Sequence, residues 1–445
     1  MATETILLTG GSGFIAAHIL EDLLAKGHTV ITTVRTQAKA DTIAAAYPDL
    51  VAGGRLTVVP VGDIAVPTAF DGVLAAHGSG LTAVLHTASP FHYNFSDAQS
   101  EIIDPAVNGT TGILRAIRQH APRVRRVVVT SSFAAILDAR KAGDHGTVYT
   151  EASWNPNTAA DAAANKMAGY RVSKTLAERA AWDFVERERP AFDLATVNPP
   201  LVFGPVAHHI ATADAINTSN ERVVALLRGE WKKGGIPETG TMVLWIDVRD
   251  VAAAHVRALE IPEAGGKRLF VVGGRFDNRQ VADIVYKNFP ERRDALPGPD
   301  VKGGEAPPPE QLFRIDSSAT NKLLGIEWTS LEKSITDLVG SLKGLDCHKT
   351  AIIATSIAPP TAAAIMILAA VERPPPVASP LGPEMFSESC GSSKEDILGS
   401  AAPVPLVVVM VVLVAVLLPD EVAVEVMLCV VVELVLSVAV EDVVG

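Results

Sequence analysis

The sequence predicts an α/β fold: a doubly wound parallel sheet followed by a smaller C-terminal lobe. Short apolar runs alternate with helical segments over the first 130 residues, the pattern of right-handed βαβ units. The first run ends in a glycine-punctuated turn. Later runs carry polar residues at their carboxyl ends, the edge where open α/β sheets place ligands.

Ile6-Leu7-Leu8 reads as the first strand, and Phe14, Ile15, Ile19 and Leu20 recur at helical spacing after it. Between them lies Gly10-x-x-Gly13-x-x-Ala16. Gly10 can turn sharply at positive φ, Gly13 lets a pyrophosphate approach the backbone, and Ala16 lets helix and strand pack closely. The phosphates would sit on the free N–H groups where Phe14 and Ile15 open the helix. This is the Rossmann-type arrangement.

His28 to Val34 is a second, β-branched run that ends at Arg35, with Lys39 beyond it. A carboxylate at that strand end would accept from an adenine-ribose hydroxyl, whereas a guanidinium offers a fork for a 2′-phosphate. Arg35 and Lys39 therefore predict NADP(H); the alternative is a solvated loop with two cations. Leu56 to Pro60 is a third strand, followed by Gly62-Asp63-Ile64. Asp63, beside Ile64, is either an acceptor for the adenine amino group or a turn or cap residue. Ala83 to Pro90 is a buried-looking strand whose small end residues, Thr87 and Ala88, leave room for ribose and phosphates.

The next strand, Arg126 to Phe133, ends in Thr130-Ser131-Ser132. A helix-forming stretch then brings Tyr170 and Lys174, at i and i+4, onto one face. Carbonyl reduction needs a hydride at carbon and a proton at oxygen. A phenol of pKa about 10 serves at neutral pH only if its anion is stabilised, which a nearby ammonium does. Tyr170 is assigned as proton donor, Lys174 as its tuner and ribose ligand, and Ser132 as the carbonyl anchor. Ser131 is the alternative anchor, since neighbouring strand residues face opposite sides. Asn198 to Gly204 leaves the sheet at another carboxyl end, placing Pro199 and Val202 on the cofactor edge, and Thr218 or Ser219 caps the helix that follows. Arg268 to Gly273 reads as a strand and Leu323 to Leu342 as a closing helix.

Composition narrows the class. Charged residues make up 20% of the chain, and the formal charge of −12 includes eight acidic residues and no Lys or Arg within 395–445. The body is only mildly acidic and offers no basic field for nucleic acid. The three cysteines, Cys347, Cys390 and Cys429, all follow residue 345. The body therefore lacks disulfides, and with no signal-like N-terminus the expected compartment is the cytoplasm. The eleven histidines are scattered without metal-ligand spacing, so no metal site is expected, and no Gly-x-Ser-x-Gly elbow points to a hydrolase.

The order of these motifs resembles the extended short-chain dehydrogenase/reductase family. Thr9-Gly-Gly-Ser-Gly-Phe-Ile-Ala16, Leu85-His-Thr-Ala-Ser-Pro-Phe91, Pro105-Ala-Val-Asn-Gly109, Val129-Thr-Ser-Ser-Phe-Ala-Ala135, Ser153-Trp-Asn-Pro156, Val197-Asn-Pro-Pro-Leu-Val-Phe-Gly-Pro205 and Ile246-Asp-Val-Arg-Asp-Val251 carry the likeness. It is similar to the dihydroflavonol reductase-like branch, and within it to fungal NADPH-dependent ketoreductases of the yeast methylglyoxal reductase type. The resemblance implies NADPH-dependent reduction of a ketone or aldehyde. On the same scaffold, a hydroxysteroid dehydrogenase, a sugar epimerase or a non-catalytic cofactor sensor are the alternatives. It also implies that Asn108 either assists the lysine through a water or satisfies a helix backbone. Phe91, Phe133, Met167 and Leu201 would line an apolar substrate cleft, or else pack ordinary core. Relatives of this kind include monomers and dimers.

The likeness runs to about residue 344. The expected division is a cofactor-binding domain at 1–200, with its sheet completed by later segments, a substrate lobe at 201–345, and an atypical tail at 346–445. The tail is rich in Ala, Pro and Ser, then in Val. Leu406 to Leu418 gives thirteen unbroken apolar residues, short of the roughly 20 that span a bilayer. A poorly ordered, aggregation-prone extension, or sequence never selected to fold, is expected ahead of a tail anchor.

Overall fold

Successive residues of the first apolar run face opposite sides, and this alternation sets up the two layers. Ile6 and Leu8 join Leu20 and Leu23 in one core, while Leu7 joins Ile113, Ile117 and Phe184 in the other. The computed structural model describes residues 3–89, 95–207 and 216–342, and the backbone of 407–416 and 424–433. Phe91, named above as a cleft residue, lies outside the described residues.

In chain order the elements are β1 (Thr5–Thr9), α1 (Phe14–Ala25), β2 (Thr29–Val34), α2 (Gln37–Ala46), α3 (Pro48–Ala52), β3 (Leu56–Pro60), α4 (Asp71–His77), β4 (Ala83–His86), α5 (Asp104–His120), β5 (Arg126–Thr130), β6 (Val148–Tyr149), α6 (Lys166–Glu188) and β7 (Asp193–Val197). There follow β8 (Leu201–Phe203), α7 (Thr218–Leu227), α8 (Glu230–Gly234), β9 (Leu244–Asp247), α9 (Val248–Glu260), β10 (Arg268–Leu269), β11 (Gly274–Arg275), α10 (Asn278–Asn288), β12 (Arg314–Ile315), α11 (Ser318–Leu324) and α12 (Leu331–Ser341).

Seven strands form one sheet in the order β10-β7-β5-β4-β1-β2-β3, and every pairing in it is parallel. The chain winds outward from β1 in one direction and from β4 in the other. The carboxyl ends of these two central strands therefore diverge into a crevice, the topological switch point of such sheets. Helices α1 and α9 pack together on one face, and α5 and α6 on the other. Burying a leucine such as Leu20 or Leu23 fully contributes about 1.5–3 kcal/mol.

The second core is built from β8, α7, α10 and α12 around Phe203, Trp231, Trp245 and Phe276. Its sheet has only three strands, β11-β9-β8. Two expectations are corrected in this region. The strand read over Arg268 to Gly273 is split: two residues complete the large sheet as β10, and the chain then crosses to pair Gly274–Arg275 antiparallel with β9. The closing helix is also two helices, because Gly325 ends α11 at φ +60 and Ser330 starts α12 by accepting the Lys333 N–H. The described residues up to 342 belong to one compact unit, and Val407–Val416 pairs antiparallel with Val424–Glu433 in a second. Most of the tail lies outside the described residues. Among the described residues no helix is long and apolar enough to cross a membrane.

Candidate active site

Gly10 adopts φ +75, and a Cβ there would stand 3.1 Å from the Ala88 backbone. That close approach joins the β1 and β4 ends, and Thr9 ties the same point. Its Oγ1 accepts the N–H groups of Thr87 and Ala88, both at 3.1 Å, so its single proton goes to His86 Nδ1 at 2.9 Å. His86 is fully buried, and burial pushes its pKa down to about 3. It is a neutral histidine whose Nδ1 serves to tie β4 to β1. Helix α1 begins after Gly13 with no side-chain cap and no acidic residue in its first turn. Its opening N–H groups and dipole are available to an anion.

Two hollows of about 430 Å³ and 300 Å³ meet at Gly10, Gly13, Thr87 and Ser89. The outer one is bounded by Arg35, Lys39, Ile64 and Ala88. Asp63 is exposed between Gly62 and Ile64, which line the outer hollow, and its Oδ1 accepts the Ala65 N–H at 3.0 Å in a local turn. The inner hollow is lined by Phe14, Ile15, Thr130, Ser132, Tyr170, Lys174, Pro199, Val202 and Ser219. Each hollow also contains an orphaned buried acceptor or donor: Thr33 Oγ1 in the outer, Asn217 Oδ1 in the inner. Neither residue stood out in the sequence, because an isolated Thr or Asn has no motif. Two confluent hollows, a glycine cradle and unsatisfied polar atoms at both ends fit an extended dinucleotide.

Ser132, Tyr170 and Lys174 converge in the inner hollow. Asn165 starts α6 by accepting the Ala168 N–H at 2.9 Å, and the helix presents Tyr170 and Lys174 one turn apart. Gly169, the residue before Tyr170, packs under the Phe95 ring, where a Cβ would stand 2.7 Å from it. Burial pushes the Tyr170 phenol above its ordinary value, against a smaller downward pull from its hydrogen bond with Ser132. Burial also lowers Lys174 to about 8, and its ammonium donates to Ser89 Oγ at 2.9 Å.

Both serines border the inner hollow, and strand alternation separates their hydroxyls: Ser131 donates inward to Glu178 at 2.5 Å, while the Ser132 hydroxyl bonds with Tyr170. Thr130 Oγ1 donates to His255 Nε2 at 2.6 Å, since His255 Nδ1 must donate to the Val251 carbonyl. Ser219 does not cap α7. The cap position is Asn217, and Ser219 Oγ instead accepts the Val202 N–H at 3.1 Å, tying the cofactor edge to the second core.

The apolar cleft residues fare differently. Phe133 is 1% exposed and stacks on Phe270 with ring centroids 5.2 Å apart, so it belongs to an aromatic core and not to the hollow. The chain turns into a 3-10 segment immediately after Ser132 and carries Phe133 inward. Leu201 packs against the second core. Met167 is exposed in the first turn of α6. Among the described residues no group of three His, Cys, Asp or Glu side chains is placed to hold a metal.

Sheet topology, glycine cradle and the Ser/Tyr/Lys cluster together define a dinucleotide-dependent enzyme of the extended Rossmann type. The chain belongs to the NAD dependent epimerase/dehydratase family, whose model matches residues 6–273. It is 42% identical over 339 residues to ketoreductase azaE of Aspergillus niger, covering 76% of this chain and 97% of that relative. It is 39% identical over 344 residues to a putative NADPH-dependent methylglyoxal reductase, GRP2, of Candida albicans, covering 77% and 99%. The crystal structure of yeast methylglyoxal/isovaleraldehyde reductase Gre2 complexed with NADPH superimposes with a TM-score of 0.70 at 36% identity, covering 76% of this chain and 98% of that one.

Proposed function

We propose that this protein reduces a ketone or aldehyde to the alcohol with NADPH, using Ser132, Tyr170 and Lys174. The observation that carries the reading is the convergence of these three side chains at the inner end of a hollow whose outer end holds Arg35 and Lys39. The glycine turn and the α1 N-terminus would hold the pyrophosphate, with Arg35 and Lys39 on the 2′-phosphate. When bound, NADPH supplies the hydride to the carbonyl carbon.

Ser132 holds the substrate oxygen and donates to it as negative charge develops. Tyr170, kept protonated by burial, transfers its phenolic proton to the same oxygen. The phenolate left behind is stabilised by the Lys174 ammonium and recovers its proton from solvent. The carbonyl thus gains one hydride at carbon and one proton at oxygen. The relatives' names support a carbonyl reductase, and a body without cysteine before residue 345 fits a reducing compartment such as the cytoplasm.

The test follows NADPH absorbance with ketones, aldehydes, diketones and dihydroflavonols. Wild-type protein should consume NADPH with at least one class, and Tyr170→Phe should not. Full turnover by Tyr170→Phe would sink the assignment.

A further inference from the structure

We propose that Glu178 is a positioning residue: a buried carboxylate that sets the distance between the helix bearing Tyr170 and Lys174 and the strand end bearing Ser132. The inference rests on the reading of those three residues given above.

Glu178 lies one helical turn beyond Lys174 and two beyond Tyr170, on the same side of α6, and is 2% exposed. Donors from three neighbouring strands meet on it. Oε2 accepts from Ser131 at 2.5 Å and Asn198 Nδ2 at 2.7 Å. Oε1 accepts from Arg268 Nε at 2.6 Å and Trp182 Nε1 at 3.2 Å; the Thr196 hydroxyl stands 3.1 Å from it, with a nearer acceptor in Asn198 Oδ1 at 2.9 Å. Ser131 is the residue before the carbonyl anchor, and Asn198 also donates to the Ser132 carbonyl at 3.3 Å. Both shared partners therefore hold the backbone on which Ser132 stands.

Packing alone does not call for an acid here. A buried ion pair carries a desolvation cost that apolar residues of similar size avoid, and such pairs are retained in some proteins for geometric uniqueness. A carboxylate is the side chain that only accepts, at four lone-pair sites. A glutamine would turn an NH₂ group towards a ring of donors. Arg268 is fixed in turn by the Glu151 carbonyl at 2.8 Å and lies 3.7 Å over the Trp154 ring, so it cannot follow a displaced partner freely.

The test compares Glu178→Gln with Arg126→Met, which breaks a buried-arginine ion pair with Asp193 at the opposite end of the same sheet. Measured for each are kcat, both KM values, the pH profile, NADPH binding by fluorescence without substrate, and Tm. In Glu178→Gln, kcat should fall about 100-fold, the scale of a misplacement near 1 Å. NADPH binding should stay within about threefold, because the glycine turn and Arg35 are untouched. The alkaline limb set by Lys174 should move to higher pH as the loosened site admits water. Arg126→Met should lose comparable Tm and keep its kcat.

The milder Ser131→Ala should lower kcat several-fold, and it decides the matter if Glu178→Gln does not fold. A folded Glu178→Gln with wild-type kcat, a Ser131→Ala with wild-type kcat, or an equal kcat loss in Arg126→Met would overturn the inference. Loss of turnover in Tyr170→Phe alongside wild-type kcat in Glu178→Gln would overturn the positioning role alone.

Discussion

Raising the pH should switch this site off through Lys174 well before Tyr170 titrates. Burial brings the Lys174 ammonium down from 10.5 to about 8 and pushes the Tyr170 phenol above 10.0. The proton donor therefore stays loaded through the alkaline range, and the first group to change is the cation that stabilises its anion. Lys174 loses charge as pH rises, so the rate falls in that direction. One unit above the midpoint only about a tenth of the molecules keep the ammonium, so log kcat/KM should descend with a slope near −1 above about pH 8. The measurement is kcat/KM for the carbonyl compound at saturating NADPH, because that ratio reports the titration of the cofactor-loaded protein that meets the substrate. Lys174→Arg holds its charge beyond about pH 12 and should flatten the limb, whatever its absolute rate. A profile level from about pH 7 to 9.5 in the wild type, or a limb unchanged in Lys174→Arg, would refute the reasoning.

Ser132→Ala removes the donor to the carbonyl oxygen and should lower kcat by roughly 100- to 1000-fold with little change in NADPH affinity; steady-state kinetics with a fluorescence titration checks both. Arg35→Ala should raise KM for NADPH roughly tenfold or more while leaving KM for NADH nearly unchanged, and equal losses with both cofactors would remove Arg35 from the 2′-phosphate. His255 is buried with its pKa lowered to about 4 from 6.5. Its folded value is depressed, so folded protein binds fewer protons than unfolded and stability falls as pH drops from about 6.5 towards 4. At pH 5 that costs about 2 kcal/mol; the difference in Tm between pH 7 and 5 should shrink in His255→Gln.

The parts of this protein legible in its sequence are those whose cause is local. The glycine turn announces itself because only glycine tolerates the φ of Gly10 beside Ala88, and Tyr170 and Lys174 because helix periodicity alone puts i and i+4 together. What escaped depends on where the chain goes next. Phe133 follows the carbonyl anchor by one residue, yet a 3-10 turn takes it into an aromatic core that no spacing reveals. The choice between Ser131 and Ser132 turned on a glutamate forty-odd residues away in sequence. In the second core, strands of two to four residues are too short for alternation to mark, and Gly325 was the one visible sign that the closing helix breaks.

Both edges of the large sheet end in blunted strands. β10 has two residues, and β3 terminates at Pro60, which has no N–H to offer. Neither edge presents a long row of free donors and acceptors to another chain. Edge-to-edge pairing between the seven-stranded sheets of two copies is thereby disfavoured.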